Sequence, residues 1–416
     1  MREAPIDPSL ADLASIAKAD AAADVAANAA AGASGDVAGG AGVATSFVTN
    51  AGIRVSRIAA RFDPALVAEI TRQVDERRGG VLSSGMEYPG RYSRWHVAYV
   101  DPCIEIVARG RRISARALNQ RGAVLLPVID AALRRAGDPS GPHPASPHPA
   151  DPHPTDPHPA SPHPADPHPA DAGITEVVIP DPGRSFTEEE RSRRPTVFSA
   201  IREIIAAFAG PDEHLGLYGA FGYDLAFQFE PVRQRIRRDD AQRDLVLHLP
   251  DELYVVDRKR ETALRYSYEF ELAGATTEGL PRATAGTLRG GTGHGSSVPD
   301  PDLPADPVPG SYARVVELAR ERFARGDLFE VVPSQVFHAA CGSPAAFYER
   351  LRQRNPAPYE FFLNLGEGEY LVGASPEMYV RVTGSRVETC PIAGTIARGA
   401  GPLEDAENIR TLLDSR

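Results

Sequence analysis

Apolar positions recur with two different periods along this chain, and each change of period marks an element. Leu66, Val67, Ile70 and Val74 fall at helical spacing between Asp63-Pro64 and Gly79-Gly80, which predicts a helix over 63–77. Phe198, Ile201, Ile204, Ile205 and Phe208 predict a second helix, and Leu125–Leu133 reads as an apolar stretch leading into a short one. Val315, Leu318, Ala319 and Phe323 predict a helix over 311–325, with Arg322 breaking the stripe and Gly326-Asp327 ending it; 344–355 is a further helix. Strands are expected at Phe47-Val48, at Ile53–Val55 and at the strand edge Val81–Ser84. His96–Tyr99 and Ile104–Ala108 read as a paired hairpin turning at Asp101-Pro102. Further strands are expected at 215–221, 245–249, 253–257 and, as an outer strand, 263–272. The remaining candidates are 328–337, 359–365, 369–373, 379–383 and 386–390. In the second region helices are followed by a meander of strands without a βαβ repeat, the pattern of an α+β protein.

Three stretches lack either period. Residues 1–45 are rich in alanine and glycine with few large apolar side chains, and are expected to be a disordered tail. Within 137–171, His143, His148, His153, His158, His163 and His168 recur every five residues among prolines. Proline at two positions in five excludes helix and sheet ladder, so this insert reads as an extended low-complexity linker. Periodic histidines can bind a transition metal weakly, the lesser reading here. Residues 279–309 are rich in glycine, proline and serine and read as a second linker. The expected organisation is an N-terminal domain of 46–136 and 172–278, interrupted by the insert, and a second domain over 310–416.

Composition removes several classes of function. The 416 residues carry a formal net charge of -11, which argues against a nucleic-acid binder. An acidic protein can still take an acidic substrate in a locally basic or metal-bearing pocket. Cys103, Cys341 and Cys390 are too widely spaced for a disulfide framework or a metal motif. No run reaches 18 apolar residues, so no membrane span is expected, and the start lacks the basic and apolar regions of a secretory signal. A cytoplasmic location is the expectation.

Four segments in the second region carry chemistry. They are Gly326–Gln335 (GDLFEVVPSQ), Asn355–Phe361 (NPAPYEF), Gly373–Glu377 (GASPE), and Pro391–Thr395 (PIAGT) with Arg398-Gly399. In this order and spacing the chain resembles the anthranilate synthase component I family, whose members bind chorismate. Tyr88–Trp95 (YPGRYSRW) and Gly219–Asp224 (GAFGYD) are similar to the bacterial variety that fuses synthase and glutaminase in one chain. The resemblance implies two domains of antiparallel sheets packed face to face with peripheral helices. It implies conversion of chorismate to anthranilate and pyruvate, with ammonia from glutamine delivered by a glutamine amidotransferase subunit or fused domain, and with Mg2+ required.

Chorismate is a small dicarboxylate, and its site needs directed donors, countercharge and an acid near the leaving hydroxyl. Gly394 and Thr395 suit the first role, since a glycine turn presents backbone N–H groups and the threonine adds a hydroxyl. The resemblance places them at the substrate oxygens, Glu377 in the pocket as a proton-handling group, and Arg398 as a counterion near the mouth. A structural turn, a pocket-shaping acceptor and a surface ion pair are the respective plain alternatives. Glu404, Asp405 and Glu407 are assigned to helix-dipole complementation and not to metal. Ala393 stands where related aminodeoxychorismate synthases typically have lysine, which favours amination ortho to the ring carboxylate.

The resemblance also implies a feedback site for L-tryptophan, lined by Asn355, Pro356, Pro358 and Tyr359 together with Ser84. The second half of that site usually reads Leu-Leu-Glu-Ser and here reads Val81-Leu82-Ser83-Ser84, so Ser83 replaces an acidic residue. A carboxylate pairs with an ammonium, whereas a serine offers a neutral acceptor. The family pattern continues well beyond Arg416. The magnesium ligands are expected there and none in this chain. The core is thus expected to be incomplete at its C-terminus, and the chain by itself inactive. Another chorismate-utilising enzyme (aminodeoxychorismate, isochorismate or salicylate synthase) and a non-catalytic tryptophan-binding fragment are the competing readings.

Overall fold

The computed structural model describes residues 42–85, 95–137, 173–181, 183, 187, 194–230, 232, 235, 237–239, 241–283, 307–392 and 394–414. The expected tail up to residue 41, the histidine–proline insert, most of the second linker, Tyr88–Arg94 of the aromatic motif and Ala393 lie outside them.

In chain order the first elements are β1 (Val43–Val48), β2 (Arg54–Arg61), α1 (Leu66–Glu76), β3 (Gly79–Ser83), β4 (Trp95–Val100), β5 (Ile104–Arg109), β6 (Arg112–Ala117) and α2 (Gln120–Gly137). Then come β7 (Ile174–Val178), α3 (Val197–Phe208), β8 (Tyr218–Phe221), β9 (Leu245–Leu249), β10 (Glu252–Asp257), β11 (Thr262–Leu272) and β12 (Ala275–Thr276). The last are α4 (Ser311–Ala324), α5 (Pro344–Arg354), β13 (Tyr359–Asn364), β14 (Tyr370–Ser375), β15 (Met378–Thr383), β16 (Arg386–Cys390) and α6 (Pro402–Leu413).

Two antiparallel sheets dominate. One runs β1-β2-β11-β10-β4-β3-β13-β14, with β12 added beside β11, and the other runs β7-β6-β5-β9-β8. They pack face to face, as the resemblance implies: Val107 and Val246 of the smaller sheet meet Leu363 and Leu82 of the larger. The main core combines Tyr99, Val255, Tyr268 and Phe270 of the larger sheet with Ile104, Ile106, Ile113 and Leu247 of the smaller. Helices α2 and α3 contribute Leu125, Ile129, Leu133, Ile201 and Ile204 to the same core. Thr196 caps α3 with a reciprocal bond to Ser199, a capping box in which serine takes the third position.

Charge staples the two sheets where they meet. Buried Glu105 on β5 accepts from Arg78 at the start of β3 (2.8 Å) and from Arg116 on β6 (2.6 Å). Burial by itself raises a carboxyl pKa, but the His248 ring 3.8 Å away and the two guanidinium charges outweigh it and bring Glu105 to about 2. Gly366, at φ 74°, lets the β13–β14 turn close over Arg78, because a Cβ there would fall 2.3 Å from Arg78 Nε. Arg121 on α2 is fully buried, paired with Asp251, and donates to the carbonyls of Thr277 (2.7 Å) and Tyr268 (2.7 Å).

Several expectations need correction. His96–Tyr99 and Ile104–Ala108 are not a hairpin: β4 pairs with β3 and β10, whereas β5 pairs with β6 and β9. Asp101, at φ 51°, carries the chain across from one sheet to the other, held by an ion pair with Arg77. Strand β11 is not an outer strand, since β2 and β10 flank it on both sides. Its alternation reflects a sheet with one packed face and one wetter face. The apolar stretch 125–133 lies inside one 18-residue helix. Residues 328–337 form no strand; Phe329 is 100% exposed and Pro333 withholds a ladder donor. Strand β1 starts at Val43, ahead of Ser46 where order was expected.

Sheet pairing crosses the 279–309 segment. The β13–β14 hairpin joins the larger sheet through β3, in the register Glu360↔Ser83, Phe362↔Val81 and Asn364↔Gly79. Helices α1 and α5 cover that end of the sheet around Ile70, Val74, Ala345, Tyr348 and Phe362. Helices α4 and α6, by contrast, bury no residue among those described.

Candidate functional site

The β3–β13 seam brings together the two segments of the expected tryptophan pocket, 81–84 and 355–359. The Gly85 N–H donates to the Ala357 carbonyl (2.8 Å), so the strand pairing runs on past Ser84 into the Pro356–Pro358 turn. Ser84, Ala357 and Pro358 are buried, Tyr359 is part-buried, and Asn355 and Pro356 are exposed. Asn355 closes α5, its N–H bonded to the Leu351 carbonyl (2.8 Å).

Sequence reasoning missed four side chains at this seam. Facing residues on antiparallel strands point to the same side, so Glu360 and Ser83 share a face across β13 and β3, and His96 of β4 meets Ser83 there. The Ser83 hydroxyl and His96 Nδ1 share a hydrogen bond of 2.7 Å. His96 is 7% exposed, and burial, reinforced by the positive charges of Arg258 and Arg352, lowers its pKa to about 4. The imidazole is therefore neutral at physiological pH. Glu360 accepts from Arg352 Nε (2.8 Å) and from the Ala357 N–H (3.2 Å). Arg352 lies over the ring of Tyr348, 5.4 Å from its centroid. Helical spacing within α5 places Tyr348 and Arg352 on one face, a signal present in the sequence. The pairing with Glu360 depends on how α5 docks, and no local pattern encodes it.

The expected substrate residues lie elsewhere. The register Met378↔Cys390 closes the β15–β16 hairpin so that Glu377 and Pro391 sit at its open end, with Gly394 and Thr395 a few residues further on. Glu377 follows a tight turn in which its N–H donates to Ser375 Oγ (3.2 Å). Glu377, Gly394 and Thr395 are all exposed, so the described residues do not enclose them. Arg398 pairs with Asp405 Oδ2 (3.1 Å) with 85% of its side chain exposed. The acidic residues of α6 cap its own approach. The Gly399 N–H donates to Asp405 (2.7 Å) and the Ala400 N–H to Glu404 (2.7 Å). No group of three or more His, Cys, Asp or Glu is placed to hold a metal ion among the described residues. They do not fit Mg2+.

The hairpin β13–β14 connects the two places. Tyr359 of the seam is the register partner of Ser375, and Ser375 Oγ bonds the backbone of Glu377.

Antiparallel sheets with peripheral helices match the α+β fold of a two-domain chorismate-binding enzyme. Residues 170–416 match the family described as chorismate binding enzyme, and the chain belongs to that family. It is 48% identical over 374 residues to an anthranilate synthase of Azospirillum brasilense, covering 89% of this chain and 46% of that protein. It is 28% identical over 339 residues to an anthranilate synthase component 1 of Vibrio cholerae, covering 77% of this chain and 57% of the relative. The chain thus spans about half the length of the curated relatives it matches. No described helix is long and apolar enough to cross a membrane.

Proposed function

We propose that this chain serves the conversion of chorismate and ammonia to anthranilate and pyruvate, the first committed step of tryptophan synthesis. The identity of 48% across 374 residues with an anthranilate synthase carries the reading. In it, residues 46–136 and 172–278 with the β13–β14 hairpin form the regulatory body, and the chain from 310 onward contributes part of the chorismate site. Gly394 and Thr395 direct donors at a substrate carboxylate, Arg398 leaves Asp405 to balance incoming charge, and Glu377 handles a proton near the ring. Ala393 favours amination ortho to the ring carboxylate. Ammonia comes from a glutamine amidotransferase subunit or domain, Mg2+ is held by residues outside this set, and the protein works in the cytoplasm.

L-tryptophan binds at the β3–β13 seam, against Ser84, Asn355, Pro356, Pro358 and Tyr359. Its effect reaches the chemistry along β13–β14, since one register step separates Tyr359 from the turn that holds Glu377.

The test supplies the chain with chorismate, ammonium and magnesium salts, and adds in trans the C-terminal part of the Azospirillum relative. Chromatography then identifies the product. Anthranilate, suppressed by tryptophan, supports the proposal. Aminodeoxychorismate, isochorismate or salicylate overturns it, as does the absence of product from the complemented mixture.

A further inference from the structure

Strand β3 lacks an acidic side chain at Ser83, and the register sets Glu360 directly across from it on β13. Neighbouring strands lie ~5 Å apart, so a carboxylate missing from one strand is within reach of replacement by the next on the same face of the sheet. The surroundings of Glu360 are built to keep it there. It is 2% exposed, and a Cβ on Gly85 would fall 1.9 Å from its Oε1, so the carboxylate occupies space that the glycine leaves open. Oε1 accepts the Ala357 N–H and retains a lone pair. Oε2 is held by Arg352, whose side chain is 29% exposed and can withdraw towards solvent.

We propose that Glu360 grips the α-ammonium of the feedback amino acid in place of the acid absent at Ser83. This rests on the reading of the seam as the tryptophan site. A buried carboxylate needs a countercharge at all times. Without ligand, Arg352 provides it. An entering zwitterion substitutes its ammonium for that guanidinium and offers its own carboxylate to Arg352, so the number of buried charges stays balanced.

Calorimetric titration of the chain with L-tryptophan and with indole-3-propionate, which lacks the ammonium, tests the assignment. Wild type prefers tryptophan. Glu360→Gln weakens tryptophan by ~30-fold or more and leaves indole-3-propionate unchanged, so the preference disappears. Returning the carboxylate to β3 in Ser83→Glu/Glu360→Gln restores it. Unchanged affinity and preference in Glu360→Gln overturns the proposal. If circular dichroism shows that Glu360→Gln does not fold, the double variant decides: selective tryptophan binding supports the assignment, and a folded double variant without it overturns it. A wild-type chain that binds neither compound sinks the seam reading itself, and this inference with it.

Discussion

The two halves of this chain use similar apolar patterns to opposite effect. Helix α3 buries Val197, Ile201, Ile204 and Phe208 between capping groups and a sheet. Helix α4 carries a comparable stripe, yet Val315, Leu318 and Phe323 are all exposed. The same holds for Tyr379, Val382 and Val387 on the β15–β16 hairpin and for Leu403, Ile409 and Leu413 on α6. Periodicity states which face of an element is apolar; a facing layer decides whether that face stabilises anything. The two-sheet body supplies that layer. Among the described residues, nothing supplies it to α4 or α6.

The contrast can be broken by substitution, and the largest effect should come from a buried charge. Arg121→Ala leaves the buried Asp251 with only the longer Arg282 pair (3.6 Å) and frees the carbonyls of Thr277 and Tyr268, which should cost about 3–5 kcal/mol, read as a fall in the urea midpoint. An unchanged midpoint would mean the network is not formed in solution. Leu133→Ala opens a cavity in the same core and should cost about 2–5 kcal/mol by the same measurement. Acidity sharpens the picture at the seam. His96 is held neutral by burial, with its pKa near 4 against an ordinary 6.5. Its contribution is whole above pH 6.5 and is lost as the pH falls toward 4, because the unfolded chain takes up a proton that the folded one refuses. His96→Gln should flatten that part of the Tm profile. The smallest change is expected at the exposed stripe. Leu318→Ala and Phe329→Ser should alter stability by less than about 0.5 kcal/mol while reducing the binding of an apolar dye. A loss as large as that of Leu133→Ala would show that these faces are packed after all.

Particular elements show how much could be read beforehand. Helices α1, α3 and α5 and strands β13 to β16 were legible because each has its own period and its own punctuation. Residues 328–337 read as a strand yet form none, because a run of apolar residues says nothing about whether a neighbouring strand exists to pair with. Residues 96–108 form no hairpin for a related reason. Asp101-Pro102 is a sound turn signal, but a turn can join two sheets as readily as two partners. At the seam, the segments 81–84 and 355–359 were found by motif. Glu360, His96, Tyr348 and Arg352 were not, since their meeting depends on register and helix docking.

The sequence by itself determined the family, the α+β class, most element positions and the identity of the motif residues. These depend on local periodicity, capping and spacing, which are written along the chain. Only the tertiary structure decided that β4 and β5 belong to different sheets, that the β13–β14 hairpin crosses into the N-terminal sheet, and that Glu360 stands opposite Ser83. Strand pairing joins residues hundreds of positions apart by backbone groups that every residue possesses. Partner choice is therefore set by which faces can be buried together, and that is a property of the assembled layers.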